Sequence, residues 1–332
     1  LAIVRVVWTD PAERRRALGV WASCNGLAFV IGPTLGGLLI EHFGWPSVFL
    51  ISVPLALAAL ALAALSIDES AHPQDRHFDL PGQLAGAAAL GGLVFAPIDG
   101  HQGGHAWIAA LALSAVAVPL FLALERRAGP AALVPLDLFR NRAFCGAIAA
   151  TASMTFGIYG MIFLLPLVWQ STHLLGPEAA GLALMPCALL FFLIASRSGH
   201  LAQRVGVRAM TAGGTAIIGT GLLVLATTHA GQPLPLATVG LILTGIGMGL
   251  NTGPLMSVAV DAVTAARSGT ASALINVARM AGATLGVAIL GAAFALGHGG
   301  ATGLRTAMLG GGIVQCLGAA VACACIRPAK VG

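Results

Sequence analysis

Hydrophobic residues in this chain come in long uninterrupted runs, separated by short segments that hold nearly all of the charge. A helix needs about 20 apolar residues to cross the hydrocarbon core of a bilayer. Stretches close to that length occur at residues 17–40, 47–66, 80–98, 107–124, 144–168, 179–196, 209–228, 235–256, 271–296 and 303–326. Strands of a membrane barrel would instead show alternating segments of about ten residues. The pattern therefore predicts an all-α fold, a polytopic transmembrane helix bundle with ten crossings in this chain.

Composition agrees with that pattern. Of 332 residues 58% are hydrophobic and 9% are charged, and mean hydropathy is +0.91. Soluble domains carry about 25% charged residues because they need a wettable surface; this chain has too few to build one. The net charge of +5 does not point to nucleic acid, because the basic residues are spread over short loops and form no stripe. Six cysteines (Cys24, Cys145, Cys187, Cys316, Cys323 and Cys325) lie in or beside apolar runs. There they read as small hydrophobes, implying neither a disulfide nor a metal site.

The loops set the orientation. Fourteen of the seventeen Lys and Arg residues fall on alternate loops: Arg14 to Arg16, Arg76, Arg126, Arg127, Arg140, Arg142, Arg197, Arg204, Arg208, Arg267, Arg327 and Lys330. By the positive-inside rule that side is cytosolic, and the C-terminus with it. The opposite loops hold Arg305, with Trp45, Trp107 and Trp169 near span ends, as an interfacial aromatic belt places them. His42, His101, His105, His173, His229 and His298 also face outward; spread over five loops, they lack the clustering of a metal site. Two cytosolic loops are long, at 68–79 and 125–143, and the second can hold a short interfacial helix around Leu136 to Phe139. No phosphate-cradling glycine loop is present, so any transport energy comes from an ion gradient or a partner.

The first full span carries the most specific signal: Gly19, Ala28, Gly32, Pro33, Gly36 and Gly37. Ala28, Gly32 and Gly36 are spaced by four and share a helix face, where small residues admit a neighbouring backbone. Pro33 removes a helical hydrogen bond and favours a bend. Together these residues resemble the antiporter motif in the fifth helix of major facilitator superfamily drug exporters, with Ala28 in place of the usual glycine. Other segments are similar to the same family. Asp10 to Arg14 resembles its loop between helices four and five. Gly199, Arg204, Gly206 and Arg208 resemble the second copy of its cytosolic loop motif, with Gln203 in place of the acid. Ser268 to Ala273, Asn276, Arg279, Gly282 and Gly286 resemble the penultimate helix of the fourteen-helix drug:proton antiporters.

That resemblance implies the superfamily fold with about ten of fourteen helices present. Residues 1–66 would hold the end of helix four plus helices five and six. Residues 67–143 would hold two extra central helices, and 144–332 a C-terminal six-helix bundle. On this reading the sequence is a fragment. It further implies a secondary transporter, not an enzyme, that exports drugs or small molecules by proton antiport with alternating access, the motif helix helping to seal the pathway. The alternatives are a superfamily transporter of one specific metabolite, or a non-transporting fragment of such a protein. Expected partners are an apolar or cationic drug-like substrate, protons and the lipid bilayer, without nucleic acid, cofactor or metal. The chain is expected to act as a monomer in a bacterial cell membrane.

Proton coupling needs a carboxylate in a low-dielectric cavity. Asp99, Asp261, Glu41, Glu125 and Glu178 all fall at span ends, so the coupling acid is expected in helices upstream. Polar or soft residues within spans are the candidates to line a cavity: Asn25, Tyr159, Asn251, Asn276 and Arg279, with Gln170, Met154, Met161 and Met280 beside them. Methionine and aromatic surfaces suit loosely specific binding.

Overall fold

The computed structural model describes residues 8, 10–66, 79–101, 105–129, 134–228, 234–264 and 267–326. Among these residues every regular element is a helix. They are α1 (Pro11–Phe43), α2 (Pro46–Leu50), α3 (Ser52–Ser66), α4 (Leu80–His101), α5 (Ala106–Ala128) and a 3-10 turn (Leu136–Arg140). After it come α6 (Arg142–Ser171), α7 (Pro177–Ala183), α8 (Met185–Val205), α9 (Val207–Ala226), α10 (Leu234–Asp261), α11 (Ser268–Leu296) and α12 (Gly300–Cys325). They make ten stretches long and apolar enough to cross a membrane, and each predicted run falls on one of them. Helices suit the surroundings, because hydrocarbon offers no partner to an open backbone N–H or C=O.

Proline chemistry divides two of the spans. Ile51 separates α2 from α3, and Leu184 separates α7 from α8. Pro54 has no N–H to give the Leu50 carbonyl, and Pro186 has none for Leu182. Helix ends overrun the apolar runs: α8 continues past Ser196 to Val205, taking Arg197 and Arg204 with it. Hydropathy marks where lipid begins, whereas a helix stops at a cap. Asn141 is such a cap, its Oδ1 accepting from the Ala143 N–H at 2.9 Å at the start of α6. Asp79 caps α4 by accepting from the Gly82 N–H at 3.0 Å. Gly206, at φ +88, makes the turn from α8 to α9, a left-handed backbone that glycine adopts without a Cβ penalty. The interfacial element expected near Leu136 is the 3-10 turn, with Leu138 buried.

The core sits in α6 and α8–α12, where Phe144, Ile158, Met161, Phe191, Leu222 and Leu241 are all closed to solvent. Backbone contact brings these helices together. A Cβ on Gly282 would lie 2.2 Å from the Ala152 carbonyl oxygen, and one on Gly286 would lie 2.1 Å from that of Phe156. α11 therefore rests directly on α6. α4 and α5 form a hairpin, tied by the Ser114 hydroxyl donating to the Ala89 carbonyl at 2.9 Å, and α4 leans on α11. α1 packs on α7 and α8, while α3 buries none of its residues.

Candidate functional site

Among the described residues, the motif helix meets α7 and α8 along a face other than that of Ala28, Gly32 and Gly36. Ala28 and Gly32 are exposed, and nothing described lies within 4 Å of a Cβ placed on Gly32 or Gly36. The close approach is made by Gly26, Pro33 and Gly37. A Cβ on Gly26 would sit 2.8 Å from Phe192 Cα, and one on Gly37 would sit 3.3 Å from Glu178 Cα. From the other side, a Cβ on Gly181 would come 2.8 Å from the Pro33 carbonyl. These residues fall at i, i+7 and i+11, one stripe of a 3.6-residue helix. Two residues between them complete the seam: Thr34 donates to Met185 Sδ at 3.3 Å, and Phe29 meets Phe191 edge-on with ring centroids 6.0 Å apart. Gly19 lies within α1.

The candidate cavity residues divide into three groups. Asn251 is fully buried and joins α10 to α9, with its amide within hydrogen-bond distance of the Thr215 hydroxyl. Turned so that Nδ2 donates to the Thr211 carbonyl at 2.9 Å and Oδ1 accepts from Thr215, it has partners on both sides. That makes it a packing group and not a cavity residue. Met154 and Met161 are likewise core, 2% and 0% exposed. The glycine run 245–249 is wedged within the bundle. Gly245 abuts the Cys187 backbone of α8, and Gly247 abuts the Gly214 backbone of α9.

Asn276 belongs to a second group. Its Nδ2 donates to the Ser272 carbonyl at 2.9 Å, and it lines a groove of about 590 Å³ between α4 and α11. Leu90, Val94, Phe95, Met280 and Thr284 share that apolar groove.

The third group gathers around Arg279. Its guanidinium carbon stands 5.2 Å from the centroid of the Trp21 ring on α1, a cation–π distance. Tyr159 is 37% exposed on α6. Asn25, one turn along from Trp21, donates to the Trp21 carbonyl at 2.8 Å. Arg279 is eleven residues into α11 and Trp21 ten into α1, which puts both about 15 Å along their helices. The membrane-length stretch of α1 begins at Ser23, so Trp21, with Arg279 against it, lies toward the arginine-rich end of the spans. Among the described residues Arg279 has no carboxylate partner, and its Nε is enclosed without a hydrogen bond.

The acidic groups lie at helix ends, as their positions along the chain suggested. Asp99 accepts from the Trp107 N–H at 2.9 Å across the α4–α5 turn. Glu125 accepts from the Val134 N–H at 3.0 Å, and Ser257 donates to Asp261 at 3.0 Å. Glu178 opens α7, and Glu41 is exposed near the end of α1. In the loop segment, Gly199 is half-buried in α8, Arg204 is exposed, and Arg208 donates to Cys323 Sγ at 3.3 Å.

Three residues escaped the sequence reading: Gly26, Trp21 and Gln315. Gln315 is fully buried on α12, with its amide donating to the Ser153 carbonyl of α6. Its glutamine inside an apolar run was the available signal, since a buried amide requires partners.

Ten apolar spans among the described residues, in a bundle joined through glycine seams, define a polytopic membrane protein. The sequence model of the Major Facilitator Superfamily matches residues 2–287, and the chain belongs to that superfamily. It is 35% identical over 299 residues to the multidrug resistance protein Stp of Mycobacterium tuberculosis, covering 89% of this chain and 55% of Stp. It is 29% identical over 296 residues to the multidrug efflux pump LfrA of Mycolicibacterium smegmatis, covering 89% and 58%. A probable actinorhodin transporter of Streptomyces coelicolor is 31% identical over 298 residues, covering 86% and 51%. The chain spans about half the length of these curated relatives.

Proposed function

We propose that this chain is the larger part of a secondary exporter of drug-like small molecules, driven by proton antiport and working by alternating access. One observation carries the reading: α1 meets α7 and α8 backbone to backbone at Gly26, Pro33 and Gly37. A glycine–proline helix docked on the C-terminal bundle can close one side of a path between two helix groups, and a modest tilt can open it. The names of the relatives, a multidrug resistance protein and a multidrug efflux pump, support drugs as the cargo.

On this reading residues 144–332 form the C-terminal bundle, α4 and α5 are inserted central helices, and α1–α3 belong to the N-terminal bundle. The arginine-rich side faces the cytosol, and the protein works as a monomer in a bacterial cell membrane. The proton carrier is a carboxylate outside the described spans, because the acids Asp99, Asp261 and Glu178 hold turns and helix ends. Tyr159 and Arg279 line the path.

Drug susceptibility and dye efflux in cells expressing the full-length gene product test this proposal. Expected is extrusion of lipophilic dyes that stops when an uncoupler collapses the proton gradient. Efflux that persists under the uncoupler removes proton antiport; absence of efflux at normal membrane abundance removes the exporter.

A further inference from the structure

Between residues 125 and 142 stand four arginines, Arg126, Arg127, Arg140 and Arg142, against two acids, Glu125 and Asp137. The segment joins two membrane-length spans, Ala106–Ala128 and Arg142–Ser171, so both of its ends lie where hydrocarbon gives way to headgroups. Arg126 and Arg127 sit in the last turn of α5, and Arg142 opens α6. All four arginines are exposed. Glu125 is buried and accepts from the Val134 N–H at 3.0 Å, which returns the chain to the last turn of α5. Asp137 pairs with Arg267 and so brings a fifth arginine to the same place. The 3-10 turn between them is pinned to the bundle. Leu138 is part of the core, Phe139 meets Phe144 edge-on with ring centroids 5.6 Å apart, and the Phe139 carbonyl accepts from Cys145 Sγ at 2.9 Å. The Phe139 ring is nevertheless exposed, among the arginines.

Helix-end electrostatics account for part of this patch only. Cations suit the C-terminal end of α5, where Arg126 and Arg127 stand. Arg142 runs against the same rule, because the first turn of a helix favours negative charge, and Arg140 lies outside any α-helix. We infer that the 3-10 turn and the two helix ends beside it bind the headgroup phosphates of anionic phospholipids, in the leaflet on the arginine-rich side. Guanidinium forks take phosphate oxygens in two-pronged bonds, and basic clusters just beyond a span are drawn to anionic lipid. The level of the span ends and the exposed Phe139 ring, an aromatic at the membrane interface, select a lipid over a soluble anion. A phosphatidylcholine carries the same phosphate beneath a quaternary ammonium, which the arginines repel; a phosphatidylglycerol does not. The inference needs only that α5 and α6 cross a bilayer, and it stands apart from the export reading.

Native mass spectrometry of the full-length gene product in neutral detergent tests the site. Phosphatidylglycerol and phosphatidylcholine of equal chain length are added together, and the lipids retained on the protein are compared. Phosphatidylglycerol is expected to be retained about tenfold or more over phosphatidylcholine. Each arginine near an anionic headgroup is worth about fivefold, so Arg140→Gln and Arg142→Gln should each lower the ratio by about that factor, and the two together by more. Arg197→Gln removes an exposed arginine near the end of α8, on the same side, and should change the ratio by less than about twofold. The ratio is read within one spectrum, so it does not depend on how much protein is recovered, and the wild-type comparison needs no variant. Equal retention of the two lipids by the wild type, a ratio that survives the double substitution, or an equal fall in Arg197→Gln overturns the site. Release of the bound phosphatidylglycerol by inorganic phosphate also overturns it, as the mark of a soluble-anion site. None of these outcomes bears on dye efflux, so the export reading stands or falls separately.

Discussion

α3 and α11 are both long apolar helices, and by mean hydropathy the span that ends with α3 is the more hydrophobic. Yet α3 buries none of its residues, while α11 buries Ala271, Ile275, Gly282, Gly286 and Leu290 among others. The two helices also differ in composition. α3 is almost wholly Leu and Ala, with no glycine between Ser52 and Ser66. α11 places Gly282 and Gly286 one turn apart, directly over the backbone of α6. Lipid tails are as apolar as leucine, so hydrophobicity does not draw one helix to another in a membrane; close van der Waals packing and buried polar groups do. Apolarity sends a segment into the bilayer, and small residues decide what it touches there.

Enlarging one residue in each helix tests that contrast most severely. Gly286→Leu forces a side chain into the Phe156 backbone, which cannot swing aside as a side-chain tip could. The expected cost is about 3 kcal/mol or more, the upper range for overpacked cores. It should appear as a collapse of the monodisperse peak in detergent size-exclusion chromatography and a large drop in melting temperature. Ala58→Leu in α3, at an exposed position, should leave both unchanged. Equal loss from the two variants would mean that α3 is packed as tightly as α11.

The same reasoning applies within α1, where two glycine stripes compete. Gly26→Ala places a methyl 2.8 Å from Phe192 Cα, whereas at Gly32 a methyl meets nothing within 4 Å. The first should cost about 1–2 kcal/mol through overpacking, read as a lower melting temperature. The second should cost nothing in stability, since alanine is the better helix former. If Gly32→Ala instead proves the more destabilising, the Ala28–Gly32–Gly36 face carries the contact.

How far the sequence could be read follows the same division. The ten spans were legible because bilayer thickness imposes a length. The face of α1 that meets α7 and α8 was not. Gly26, Pro33 and Gly37 form as good a stripe as Ala28, Gly32 and Gly36, and only the position of α7 and α8 decides between them. Asn251 looked like a cavity residue because a polar side chain in an apolar run has two uses, lining a path or bridging helices. Its partner Thr215 on α9 decides for bridging. Arg279 stood out from the start, but its match with Trp21 joins residues from opposite ends of the chain and has no local signature.

The smallest expected effect lies outside the bilayer, where the loop before α6 meets the turn before α11. Asp137 and Arg267 form an ion pair there, and close by the Asn141 side chain donates to the Ala262 carbonyl at 2.8 Å. The two contacts tie the same segments and differ in kind. The ion pair is wet, with Arg267 43% and Asp137 55% exposed, so water and salt screen it and its worth is below about 1 kcal/mol. The amide bond adds to a helix cap, since the other end of Asn141 accepts from the first N–H groups of α6. Losing a cap costs about 1 kcal/mol, and salt has little hold on a neutral group. Asp137→Asn should therefore shift the melting temperature by a degree or two at low salt and not at all at high salt. Asn141→Ala should shift it further, and equally in both. A salt-independent loss in Asp137→Asn would show that Asp137 holds the loop through a neutral contact and not through its charge.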